Sequence, residues 1–304
     1  MVGHMTLHTR RQFLQTGSAA ALYASTLAST WSLTRQALAS PLGLPLGLQL
    51  YSVRDELPKD YAGTLHTVAS LGYKEVEAAG FYGRSAAEVK QAMATAGLRC
   101  VSAHYPWSQI DGKVDSLIEY HHTLGAEYII CASPGFKDAD HHGHEMTLDD
   151  WRWNAEQFNH VGEKVKAAGL RFGYHNHTGE FAEHDGVLPY DELLRLTDPK
   201  LVTFEMDCGW VTVGGHDPIA YLKKHPDRIS MLHVKDFKHT DKPMSSHEPP
   251  PAAELGRGTT DYRPIFAAAK QGMIRHAFVE QEQFDVPWKE ALKIDADYMR
   301  ALKG

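Results

Sequence analysis

The sequence predicts a (β/α)8 TIM barrel, and three observations carry that prediction. From Leu44 onward one phrase recurs: an amphipathic stretch closes on a glycine, a short β-prone run follows, and a polar and aromatic loop comes next. The β-prone runs number eight and alternate with helical patterns, which is the count of this barrel. The chain has 304 residues, and the part that carries the phrase is close to the barrel's usual size of about 250 residues. An open doubly wound sheet normally needs fewer strands, and no GxGxxG turn follows the first of them.

In chain order the predicted strands are 47–53, 74–78, 100–104, 128–132, 171–177, 202–207, 230–235 and 276–281. Helical periodicity is read over 61–71, 86–96, 114–124, 151–168 and 190–196. Gly72, Gly97, Gly125 and Gly169 stand where a helix needs a left-handed residue before the chain turns into a strand. No linker divides the chain after residue 39, so residues 40–304 are expected to form one domain. The Pro-rich piece His247-Glu248-Pro249-Pro250-Pro251 falls in the loop after the seventh strand, where an insertion can cover a site.

Residues 1–39 read as an address. Met1–His4 precede a second methionine and read as residues added for expression. Arg10-Arg11-Gln12-Phe13-Leu14, a small and apolar run from Gly17 to Leu33, and Ala37-Leu38-Ala39 follow in the order of a positive region, an apolar region and a cleavage site. The paired arginines resemble a twin-arginine export signal, which implies a periplasmic protein. Serines and threonines at Ser25, Thr26, Ser29, Thr30 and Ser32 interrupt the run too often for a stable membrane span. No stable membrane insertion is therefore expected once the signal is cleaved. The net charge of −7, with histidines neutral, argues against a nucleic-acid partner, because phosphate binding needs a basic face. Cys100, Cys131 and Cys208 are too few and too scattered for a disulfide framework or a metal knuckle. The sequence leaves homo-oligomerisation open.

The composition has one anomaly, its 19 histidines. Position sorts them. Chemistry in this barrel gathers at the C-terminal ends of the strands, and those ends read Gln49 and Tyr51, Glu77, His104, then Tyr174-His175-Asn176-His177, Glu205-Met206-Asp207, His233-Val234-Lys235-Asp236 and Glu280-Gln281-Glu282. The last four strands in succession end in imidazoles and carboxylates. Burying several ionisable groups together is costly unless something compensates. A mixed nitrogen and oxygen set suits Mn²⁺, Zn²⁺, Co²⁺ or Fe²⁺ better than Ca²⁺.

The stretches Gln49-Leu50-Tyr51-Ser52-Val53-Arg54, Tyr174-His175-Asn176-His177, Glu205-Met206-Asp207, His233-Val234-Lys235-Asp236 and Val279-Glu280-Gln281 resemble the sugar phosphate isomerase/epimerase family of xylose-isomerase-like TIM barrels. That resemblance covers essentially all of the chain after the address. It implies a metal held from strands five to eight, with Asp207, His233 and Glu280 matching the last three ligands of the ketose epimerases. The fifth strand departs, because His175 falls where the family has a glutamate. His175 and His177 share one face of the strand; either can be the fourth ligand, and the motif match favours His175.

The resemblance implies a small carbohydrate or keto-sugar substrate and an isomerase or epimerase working through an enediolate, with two carboxylates moving the proton. With His175 in place of the glutamate, Glu280 remains as one base, and the other role passes to Glu180, Glu77 or an imidazole. Such asymmetric equipment also suits a lyase or dehydratase acting on an oxidised sugar. A carbohydrate-binding barrel without turnover is the rival from another class. His104, Trp107, His177, Trp210, Lys235, Asp236 and Arg257 complete the expected substrate contacts: the tryptophans for stacking, Lys235 or Asp236 for a hydroxyl, and Arg257 for a phosphate or carboxylate. His141-His142-Gly143-His144 reads as an exposed loop cluster.

Overall fold

The eight β-prone runs become eight parallel strands: β1 (Gly47–Gln49), β2 (Glu75–Ala78), β3 (Arg99–Pro106), β4 (Tyr128–Ser133), β5 (Arg171–His175), β6 (Val202–Asp207), β7 (Ile229–Val234) and β8 (His276–Val279). Each pairs with its sequence neighbours, and β8 closes the ring on β1. This computed structural model describes residues 42–138, 145–240 and 249–302. The 1–39 address and the His141–His144 tract lie outside the described residues, as do His247 and Glu248 of the Pro-rich piece.

A helix follows every strand: α1 (Tyr61–Ser70), α2 (Ala86–Ala96), α3 (Val114–Leu124), α4 (Leu148–Ala167), α5 (Pro189–Leu196), α6 (Pro218–Lys224), α7 (Tyr262–Ala269) and α8 (Trp288–Ala301). Ser85 and Thr147 start α2 and α4 with capping boxes closed by Glu88 and Asp150. Gly97 and Gly125 end α2 and α3 at φ 77° and 87°, a conformation that a side chain strains. The last three helices are absent from the periodicity reading above. α6 and α7 span about two turns, and α8 follows its N-cap Pro287 with no side-chain cap.

Two strands stop earlier than their apolar runs suggest. The Gln49 side chain accepts the Tyr51 amide at 3.0 Å and turns residues Leu50–Val53 into a 3-10 helix. Asn176 leaves β5 and bonds the β6 backbone, accepting from the Asp207 amide at 3.0 Å.

Inside the barrel the strands alternate between its interior and the helices. An apolar layer of Val101, Tyr128, Ile130, Met231 and Phe278 fills the interior, separate from the larger core between strands and helices. Below that layer Glu75 bonds His276 Nδ1 at 2.7 Å and pairs with Arg99. Above it lie buried polar side chains, among them Glu77, His175, Glu205 and His233. Among the described residues no helix is long and apolar enough to cross a membrane. The three cysteines are buried and free.

Candidate active site and metal centre

The polar layer is built by register. β5 and β6 place His175 beside Glu205, and β6 and β7 place Asp207 beside His233. Glu205 and Asp207 are two apart on one strand and face the same way. β8 ends one residue before Glu280, whose Oε2 comes within 3.1 Å of His233 Nδ1. His175, Asp207, His233 and Glu280 thus form a group whose ligand atoms all lie within 4.8 Å of one another. All four are buried.

Several atoms in this layer lack hydrogen bonds. His175 Nδ1, Asp207 Oδ2 and Glu205 Oε1 are buried without a hydrogen-bond partner, although Lys235 Nζ stands 3.3 Å from Asp207 Oδ2 as an ion pair. Leaving such groups unmade costs free energy that a cation would recover. The imidazole and carboxylate donors suit a borderline divalent transition ion. The residues present therefore fit a metal, and His175, Asp207, His233 and Glu280 are the ones that would hold it.

Glu77, fully buried on β2, lies beneath this group. Its carboxylate accepts from Gln49 Nε2 at 2.7 Å and from Ser102 Oγ, and its Oε1 stands 2.8 Å from both His104 Nε2 and His233 Nε2. A carboxylate so fully engaged orients His233 rather than serving as a free base, the usual role of a carboxylate behind a metal-ligating histidine. His104 is clamped between Glu77 and Glu205, at 2.8 and 2.6 Å. Burial disfavours its charge, but the two carboxylates outweigh burial and raise its pKa to about 9.

Lys235 is the counter-charge. Its ammonium lies 2.8 Å from Glu280 Oε2 and 2.6 Å from Glu282 Oε1, 4.5 Å above the Trp210 ring. Against the penalty of burial, Lys235 and His233 hold Glu280 well below the usual carboxylate range.

Above the group opens a cavity of about 340 Å³ lined by Tyr51, His104, Tyr105, Ser133, His175, His177, Trp210, Glu280 and Glu282, among others. His177 shares its wall but does not belong to that group of close ligand atoms, so the fifth strand gives His175 to the candidate metal group and His177 to the cavity. Tyr51, 41% exposed, is the exposed large hydrophobic side chain among the described residues. With Tyr105 and Trp210 it gives a polar cavity three aromatic surfaces.

A family model described as xylose isomerase-like TIM barrel matches residues 65–302. The chain belongs to this family. A sugar phosphate isomerase/epimerase from Parabacteroides distasonis ATCC 8503 superposes on the xylose isomerase-like barrel with a TM-score of 0.68 at 29% identity, over 83% of this chain and 96% of that one. An inosose dehydratase from Lacticaseibacillus casei is 25% identical over 253 residues, 73% of this chain and 83% of the relative. An IOLI protein solved with a zinc atom shares the fold at a TM-score of 0.65 and 12% identity, covering 84% of this chain and 96% of its own.

The remaining expected site residues of the barrel lie elsewhere or act through others. Glu180 sits on a 3-10 turn, where it accepts from Tyr174 Oη at 2.5 Å and from the His177 amide at 3.0 Å. It fixes the strand end that carries His177, and it lines a neighbouring cavity rather than the one above the metal group. Trp107 is buried against Trp153 and Phe158 and leaves the cavity to Trp210. Arg257 is half-exposed, 3.6 Å from Glu254, and does not line the cavity.

Asp236 is buried and organises the loop after β7. Its carboxylate accepts from the amides of Gly256, Gly258 and Thr260 at 2.9–3.1 Å. A Cβ at Gly258 would collide with that carboxylate, so glycine is required there. Asp236→Ala is expected to lower stability by about 1–3 kcal/mol, because the partly buried amides lose their acceptor. Faster protease cleavage within 249–260 should accompany the loss. Unchanged urea unfolding and unchanged cleavage would show that the loop holds itself.

Glu205, Asn176 and Gln49 are the contributors that the strand-end reading left without a role. The rule that placed His175 and His177 on one face, applied to Glu205 and Asp207, would have found the first.

Proposed function

We propose that this xylose isomerase-like barrel is a divalent-metal-dependent enzyme that removes the proton beside the carbonyl of a small keto-sugar and expels a β-hydroxyl as water. When bound, the ion supplies Lewis-acid polarisation of the substrate oxygen. The observation that carries the reading is the asymmetry of the cavity wall. Of the four metal-group residues, Glu280 is the carboxylate that lines it, while His104, His175 and His177 line the rest. The two carboxylates of that wall, Glu280 and Glu282, both pair with the Lys235 ammonium and so form one cluster, not the two opposed bases that a symmetric epimerase needs.

The proton chemistry follows from position. His177 lines the cavity, and burial together with the Lys235 charge lowers its pKa to about 4, which keeps the ring neutral and able to accept a proton. His104 is held as an imidazolium by Glu77 and Glu205 and reaches the same cavity, so it can give its proton to the departing hydroxyl. The C–H pair becomes the new C=C bond, the C–O bond breaks, and water leaves. Relatives named inosose dehydratase support elimination. The 29% identical structure titled sugar phosphate isomerase/epimerase supports a second reading, in which the proton returns to a neighbouring carbon without loss of water. A zinc atom in a relative of the same fold supports the metal.

The test combines metal analysis with proton exchange. His233→Ala is expected to lose bound metal and turnover together. His104→Gln should lower turnover by about 10²–10⁴-fold, the usual worth of a positioned acid. Incubating keto-sugars in D₂O should place deuterium beside the carbonyl, and elimination should add an enone absorbance. Full metal content in His233→Ala would sink the metal centre. Binding of sugars with no exchange across a broad panel would mean a carbohydrate-binding barrel.

A further inference from the structure

A second group of close donors lies deeper in the barrel. His104, His175, Glu205 and His233 also present ligand atoms that all lie within 4.8 Å of one another. Glu205 precedes Asp207 by two residues on β6, so it points inward one layer below. Three imidazoles and one carboxylate make a better set for Zn²⁺ or Co²⁺ than for a hard cation. The fully buried Glu205 has an oxygen, Oε1, without any hydrogen-bond partner, and His175 Nδ1, also unpartnered, stands 3.2 Å from Glu205 Oε2.

The ring of His233 lies between the two groups. Its Nδ1 is 3.1 Å from Glu280 Oε2 and 3.8 Å from Asp207 Oδ2. Its Nε2 is 2.8 Å from Glu77 Oε1 and 3.4 Å from Glu205 Oε2. Carboxylates therefore face both nitrogens, and either tautomer finds an acceptor for its N–H.

We infer that the barrel has an inner metal seat, His104, His175, Glu205 and His233, in addition to the outer seat of His175, Asp207, His233 and Glu280, and that one ion occupies one seat or the other. A neutral imidazole offers a single lone pair, so the shared His175 and His233 cannot serve two ions at once. The tautomer of His233 selects the seat. With the proton on Nε2 and held by Glu77, Nδ1 serves the outer seat at the cavity floor. With the proton on Nδ1 and held by Glu280, Nε2 serves the inner seat, where an entering ion would displace the proton that His104 Nε2 shares with Glu77 and Glu205 and release it to solvent. Glu280, the metal-group carboxylate at the cavity wall, belongs to the outer seat alone, so turnover needs the ion there.

The inference rests on the reading that the barrel binds a divalent ion, and the experiment separates the two. Full-length protein and variants are loaded with Zn²⁺, desalted and analysed for bound metal, with circular dichroism as the check of fold. Wild type should hold one ion per chain. The pair Asp207→Ala and Glu280→Ala should keep the ion and lose turnover. The pair His104→Ala and Glu205→Ala should also keep it, and all four changes together should abolish it. If the alanine pair at Asp207 and Glu280 fails to fold, Asp207→Asn with Glu280→Gln serves instead. A Co²⁺ absorption band in that outer-seat variant should change when Glu205→Gln is added. An outer-seat variant that folds but holds no metal, beside an inner-seat variant that holds a full ion, overturns the inner seat and leaves the proposed function standing. An outer-seat variant that keeps both metal and turnover overturns the outer seat. Wild type without metal overturns both.

Discussion

Lys235→Met is expected to destabilise the protein in the presence of a chelator by about 3–5 kcal/mol, the cost of breaking a buried ion pair from one side. Lys235 is 1% exposed, and its ammonium is the lysine charge that stands against Asp207 and Glu280. Without it, two buried carboxylates remain beside one imidazole, and their repulsion has no solvent to relieve it. Uptake of a proton by one carboxylate caps the loss, which is why it does not reach tens of kcal/mol. A divalent ion in the outer seat brings the missing positive charge to the same oxygens. At a hundredfold excess over its dissociation constant it returns about 2.7 kcal/mol. Urea unfolding with chelator and then with Zn²⁺ measures both halves. Equal stability of variant and wild type in chelator would show that the carboxylates are neutralised by other means. Loss without metal rescue would separate Lys235 from the metal centre.

That balance of charges explains which parts of the site could be read from sequence. Strand ends are legible, because eight β-prone runs fix where each strand stops to within a few residues, and the fold puts all eight stops at one mouth. Asp207, His233, Glu280 and His175 come together for that reason. What a side chain bonds beneath the mouth is not legible. Glu77 and Glu180 have the same chemistry as Glu280, yet one is saturated by Gln49, Ser102, His104 and His233, and the other by Tyr174 and a backbone amide. The partners of Glu77 come from strands far apart in the chain, while those of Glu180 lie three and six residues before it and depend on how the chain turns after β5.

Aromatic and basic residues show the same limit. Trp107 and Trp210 both follow a strand closely, but Trp107 finds Trp153 and Phe158 between strand and helix, while Trp210 meets Phe237 and the Lys235 ammonium at the mouth. Arg257 follows a glycine, as the expected anion contact required, and instead faces Glu254. Packing across elements decided each case. Fold class needed only periodicity and count.

The loop after β7 has its own buried acid, with consequences for pH. Asp295 on α8 is 1% exposed; its Oδ1 accepts the Leu255 amide at 2.7 Å, and its Oδ2 has no hydrogen-bond partner. Burial raises its pKa to about 7; Glu254 and Asp236 add to the shift, while Arg257 and the Leu255 amide oppose it. A carboxyl group whose folded pKa lies above its unfolded value of about 3.9 is protonated in the fold while the unfolded chain releases its proton. Stability from this group is therefore fully present at low pH and lost as pH rises to the folded pKa. At 1.36 kcal/mol per unit, the wild type should lose roughly 2.7 kcal/mol between pH 5 and pH 7 from Asp295 alone, and little more beyond. Asp295→Asn keeps an oxygen for the Leu255 amide and removes the titration. The variant should exceed wild type by a margin that grows by that amount from pH 5 to pH 8. Urea unfolding at both values decides it: curves that shift in parallel for the two proteins would mean that Asp295 is ionised in the fold at both pH values, with its charge compensated.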